Sequence, residues 1–101
     1  FTVENLYPET AATIGLILSE AEISANSKTW KKFWHLYQVD LIGVESREVA
    51  RAMVEFGQEL RRLEEQGAAP SEELRRLGRS VIQAMSLELP ATGAFLEKIT
   101  E

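Results

Sequence analysis

Residues 42–77 read IGVESREVARAMVEFGQELRRLEEQGAAPSEELRRL. Ile42, Val49, Met53, Phe56, Leu60 and Leu63 follow a seven-residue repeat, the later ones in alternating steps of four and three. At 100° per residue, that spacing gathers them on one helical face. A helix is therefore expected from about Glu45 to Gln66. Gly67-Ala68-Ala69-Pro70 breaks the chain, and Ser71 followed by Glu72 and Glu73 is a start signal for a second helix. The serine hydroxyl can accept from a free backbone N–H, and the acidic pair suits the positive end of the helix dipole. Leu74, Leu77, Val81, Ala84 and Met85 form the apolar stripe of that helix, with Ile82 and Leu89 beside it, and Pro90 ends it.

The sequence is nearly mirror-symmetric about the break, Arg61-Arg62-Leu63-Glu64-Glu65 answering Glu72-Glu73-Leu74-Arg75-Arg76. In an antiparallel hairpin, residues equidistant from the turn become neighbours, so Leu63 should meet Leu74 and Leu60 should meet Leu77. The symmetry also brings like charges together, so compensation is expected within each helix, as Arg61 with Glu65 and Glu72 with Arg76 at i, i+4. Gly57, inside the first helix, costs ~1 kcal/mol relative to Ala, which calls for a packing reason such as close approach of another helix.

Towards the N-terminus, Asn26 and Ser27 can cap a helix running from about Lys28 to Asp40 or Ile42, with Gly43 ending it. Tyr7 precedes Pro8, and a residue before proline is pushed away from the helical region. Residues 1–7 are therefore expected to form an extended arm, with a helix starting at Pro8 and carrying Ile14, Ile17, Leu18, Ala21 and Ala25 on its stripe. Leu16 and Ile23 lie off that stripe and suggest burial on a second side. Beyond Pro90, Thr92 can cap a short last helix with Phe95, Leu96 and Ile99. No strand-like alternation competes with these segments. The expectation is an all-α chain forming one domain over residues 1–101: four main helices and a short C-terminal one, bundle-like, with the third and fourth as an antiparallel hairpin.

Composition narrows function by exclusion. Apolar residues make up 45% of the 101 and charged ones 27%, which suits a folded protein. The net charge of −5, from sixteen acidic and eleven basic side chains, opposes attraction to phosphate backbones and anionic membranes. No stretch approaches the ~20 apolar residues that span a bilayer. There is no cysteine and one histidine, and no phosphate-binding Gly-rich loop, zinc-binding His pair or nucleophile elbow occurs. His35 lies among lysines and reads as a surface residue. No catalytic, cofactor-binding or metal-binding residue is expected, and the cytoplasm is the default compartment.

The remaining candidates are surfaces. In KTWKKFWHLY, residues 28–37, helical geometry puts Trp30, Phe33, Trp34 and Tyr37 on one face with Leu41, and Lys28, Lys31, Lys32 and His35 opposite. A chain of this size buries only roughly two thirds of its unfolded surface, so part of this aromatic face is expected to reach an interface. The repeat of Val49, Met53, Phe56 and Leu60 can pack on the fourth helix and also on a symmetry mate. Lys31, Lys32, Arg75, Arg76 and Arg79 are candidate basic contacts, for which a solvated face is the simpler reading. The resulting expectation is a small homodimeric regulatory protein that binds a larger protein, such as a transcriptional regulator, and inhibits it by occlusion. Small helical antiactivators are comparable in size and class only, and no motif here carries a family resemblance. A nucleic-acid-binding module would need the basic groups to converge. A structural subunit would need a partner to complete its core.

Overall fold

A computed structural model of the chain describes residues 3–41 and 46–87, and every regular element among them is helical. In order they are α1 (Val3–Leu18), α2 (Lys28–His35) leading into a π-helical turn (Leu36–Asp40), α3 (Arg47–Gln66) and α4 (Glu72–Ser86). None is long and apolar enough to cross a membrane.

The two central helices lie near their expected spans: α3 opens at Arg47, close to the expected Glu45, and closes at Gln66 as expected, while α4 starts at Glu72 but closes at Ser86, ahead of the stop expected at Pro90. Ser46 caps α3 by accepting from the Val49 N–H, and Ser71 caps α4 by accepting from the Leu74 N–H at 3.0 Å. Gly67 ends α3 in the left-handed region at φ 62°, where a β-carbon would be strained. Its N–H and that of Ala68 return to the carbonyls of Glu64 and Leu63, which satisfies two of the last open acceptors of the helix. Val49, Met53, Phe56, Leu60 and Leu63 of α3 are buried with Leu74, Leu77, Val81 and Met85 of α4 in one hydrophobic cluster. Glu59 meets Ser71 across the pair, and Phe56 lies beside Gly78.

The first helix departs from the expectation. It begins at Val3 and runs through Pro8, so residues 3–7 are helical rather than an extended arm. Leu6 and Tyr7 lie at 1% and 0% exposure, and with Ala11, Ile14 and Ile17 they make a stripe that crosses the proline. Burying two large side chains contributes roughly 3–5 kcal/mol, enough to offset a proline penalty of ~3 kcal/mol. The helix also stops early, at Leu18, leaving Ala21 and Ala25 exposed outside it. Leu16 is 57% exposed, so its face is not buried. Ile23 is buried, but as part of the connection, where its N–H donates to Ala68 O at 2.8 Å and ties the first loop to the turn after α3.

The second helix is not uniform either. After His35 the hydrogen bonds lengthen to i→i+5, as in Leu41 N–H to Leu36 O at 2.8 Å. In a regular α-helix, residues five apart diverge by about 140°. The wider winding brings them back into line, so Leu36 and Leu41 are both buried and His35 Nδ1 comes 3.2 Å from Asp40 Oδ2. Ile42, Gly43, Leu89, Pro90 and the short helix expected after Thr92 lie outside the described residues.

Candidate protein-interaction surface

Ser27 fixes the start of α2 by accepting from the Trp30 N–H at 2.9 Å, and this sets the rotation of the aromatic face. Phe33 points inward at 0% exposure, its ring 5.2 Å from that of Phe56. Trp34 packs edge-on against it at 5.1 Å. Trp30 and Tyr37 each lie 5.6 Å from Trp34 by ring centroid, so three half-buried rings form a row rooted in the core by Phe33.

Helix α3 admits this row because Gly57 faces it. A β-carbon at Gly57 would stand 3.0 Å from Trp34 Cη2 and 3.5 Å from Tyr37 Cε2. One turn further along α3, the Arg61 guanidinium carbon sits 4.4 Å from the Trp34 ring centroid, a cation–π contact. Trp34 Nε1 is buried with no acceptor among the described residues. Two shallow grooves flank the Arg61–Trp34 contact. One, of about 530 Å³, has Tyr37, Gln38, Val54 and Gln58 in its walls and Gly57 in its floor. The other, of about 510 Å³, adds Ala25, Trp30, Lys31, Glu64 and Glu65, while Trp34, Gln38 and Arg61 belong to both.

The residues expected at an interface separate into two groups. Trp30, Trp34 and Tyr37 reach the surface. Phe33, Val49, Met53, Phe56 and Leu60 all lie at 0% exposure inside the chain and offer no area to a second molecule. The seven-residue repeat is filled by α4 and the aromatic root of α2. Val54, Gln58 and Gln38 complete the surface without having been singled out, and Arg61, expected only as a partner of Glu65, joins it. Val54, Gln58 and Arg61 form their own stripe at steps of four and three, but its mixed polarity gives no apolar signal.

The basic candidates are on two helices and are partly compensated. Lys32 Nζ lies 3.1 Å from Glu9 Oε1 of α1, Arg75 pairs with Glu72 at 3.7 Å, and Arg76 pairs with Glu73. Lys31 borders the second groove, and Arg79 is exposed on α4. The expected i, i+4 pairs give way to i, i+3 pairs, with Arg62 on Glu59 as the best formed. Arg61 takes the Trp34 ring instead of Glu65. Arg62 grips Glu59 through Nε at 2.7 Å and a second nitrogen at 2.6 Å, while the Ser71 hydroxyl donates to the same carboxylate at 2.9 Å. The hydrogen bond from Arg62 holds the Glu59 carboxyl below its ordinary range. Burial opposes this, and Ser71 and the Arg62 charge add to it.

Among the described residues, no group of three or more His, Cys, Asp or Glu is placed to hold a metal ion. No protein-family model, curated protein or solved structure matches the chain.

Proposed function

We propose that this chain is a non-catalytic protein-interaction protein that binds a larger protein and inhibits it by covering its working surface. It would act as an antiactivator does on a transcriptional regulator. The observation that carries the reading is the row of Trp30, Trp34 and Tyr37, half-buried at 5.6 Å spacings with Arg61 over the central ring. Trp, Tyr and Arg dominate the energetics of protein interfaces because they combine large contact area with a polar handle. Here they are rigidly based, so little side-chain entropy remains to be lost on binding.

A bundle with α3 and α4 as an antiparallel hairpin belongs to the same reading. Its support is the register in which Glu59 meets Ser71 and Phe56 meets Gly78, while Ala52 shares a pocket wall with Ser80 and Ala84. A cytoplasmic location accompanies it.

The test is capture from nuclease-treated lysate of the source cell with tagged wild-type chain, Trp34→Ala, Arg61→Ala and the control Leu16→Ser. A protein retained by wild type and control but weakened at least ~30-fold by the two surface variants, corresponding to about 2 kcal/mol at a binding hot spot, is the expected result. Equal capture by all four chains overturns the assignment, provided circular dichroism shows them equally helical.

A further inference from the structure

The charges bordering the second groove come in both signs. Lys31 and Arg61 supply two cations, Glu64 and Glu65 two anions, and the groove is neutral on a chain of net charge −5. None of the four has an oppositely charged partner within ion-pair distance among the described residues. A purely acidic segment placed here would meet the two glutamates, and a purely basic one would meet Lys31 and Arg61. An isologous contact has the opposite requirement. A two-fold axis lays a patch against itself, so each charge must find its complement within the same patch.

We propose that this groove is the contact face of a symmetric homodimer, with the α3 helices crossing so that Arg61 of each protomer meets Glu65 of the partner subunit. Arg61 and Glu65 are one helical turn apart, about 6 Å along the axis. A two-fold axis midway between them exchanges the two positions, and the pair forms twice per dimer. The aromatic row and Val54, which is 41% exposed, supply the apolar area beside it. This rests on the reading of the surface as a protein contact: a second copy covers it in the free protein, and the weak dimer must open before the surface can cover a larger protein. Twelve residues line the two grooves together, against roughly 20–30 per side in a standard interface. The dimer should therefore be weak and its mass concentration-dependent.

Sedimentation equilibrium on the full chain, from about 5 µM to about 1 mM, tests it over the affinity range expected of small interfaces. Wild type should rise from the monomer mass towards twice that value. Arg61→Glu puts like charges together at both copies of the contact, as does Glu65→Arg, so each should weaken association at least ~10-fold. The decisive sample is an equimolar mixture of the two variants. Within a heterodimer every 61–65 contact is again between opposite charges, and association should return. A wild-type mass that stays monomeric throughout overturns the proposal, as do single variants that dimerise like wild type or a mixture that stays monomeric. Circular dichroism of each variant separates lost association from lost folding. A monomeric wild type would leave the surface open to a foreign protein, so this result and the capture experiment fail independently.

Discussion

Gly15, Gly57 and Gly78 all sit inside helices, and their surroundings differ. Nothing lies within 4 Å of a β-carbon built on Gly15, at the exposed face of α1. On Gly78 the same atom would stand 3.0 Å from Ile14 Cγ2, 3.3 Å from Phe56 Cε2 and 3.4 Å from Leu18 Cδ1. Helix propensity alone favours Ala over Gly by roughly 0.8–1 kcal/mol. At Gly15 nothing opposes that gain, so Gly15→Ala should raise stability by about 0.5–1 kcal/mol. At Gly78 two of the three neighbours, Ile14 and Phe56, are fully buried and cannot give way, so Gly78→Ala should destabilise by ~1–3 kcal/mol despite the better propensity. Urea unfolding of the two variants checks both signs, and a stabilised Gly78→Ala would show that α1 and α4 are less closely packed than described. The sequence flagged Gly57 as needing a close neighbour, and Trp34 is that neighbour. It could not say which residue would fill the space, because Trp34 and Gly57 are on different helices.

The elements were legible where local chemistry and burial agree. The end of α3 and the start of α4 follow from Gly67 and Ser71, whose backbone freedom and side chain fix helix ends directly, while the start of α3, expected at about Glu45, is set by the Ser46 cap. They were illegible where the two conflict. Pro8 has the local signature of a helix start, yet the buried stripe through Leu6, Tyr7, Ala11 and Ile14 continues across it. The π-helical turn leaves no trace in composition: it aligns residues five apart, Leu36 with Leu41 and His35 with Asp40, a spacing that no helical or strand period picks out. One junction between elements has a pH signature. Ser71 joins the α4 cap to Glu59 of α3, whose side chain is 10% exposed and whose carboxyl is held low chiefly by the hydrogen bond from Arg62. A carboxyl depressed in the folded state stabilises it above the ordinary value of 4.5, and that contribution is lost as pH falls through the folded value. Glu59→Gln should therefore be less stable than wild type at neutral pH, with the gap closing as the solution is acidified below the ordinary carboxylate range. A gap that stays constant with pH would mean that the ionised form of Glu59 contributes nothing specific.

At the scale of the whole molecule, the sequence identified the apolar faces of α2, α3 and α4 but not what each one meets. A repeat of Val49, Met53, Phe56 and Leu60 looks the same whether the opposing helix is α4 or the α3 of another copy. Periodicity specifies a buried face and is silent about whose surface buries it. The structure places these four side chains at 0% exposure within the chain, and this changes what a charge in the repeat should do. At a surface seam, Phe56→Asp would cost association and leave a folded monomer. Inside the core it must bury a carboxylate with no partner in place of a ring that touches Phe33, at a cost of several kcal/mol. Against a total stability of about 5–15 kcal/mol for a native domain, Phe56→Asp should abolish the cooperative thermal transition at every protein concentration, and Leu60→Asp should behave alike. Arg61→Glu, one position along the helix from Leu60 but over the Trp34 ring at the surface, should keep its helicity and its cooperative transition. A Phe56→Asp chain that melts cooperatively with native helicity, and differs from wild type only in mass, would return the repeat to the subunit interface. It would then leave the aromatic row of α2 as the only one of the two faces still free to receive a foreign protein.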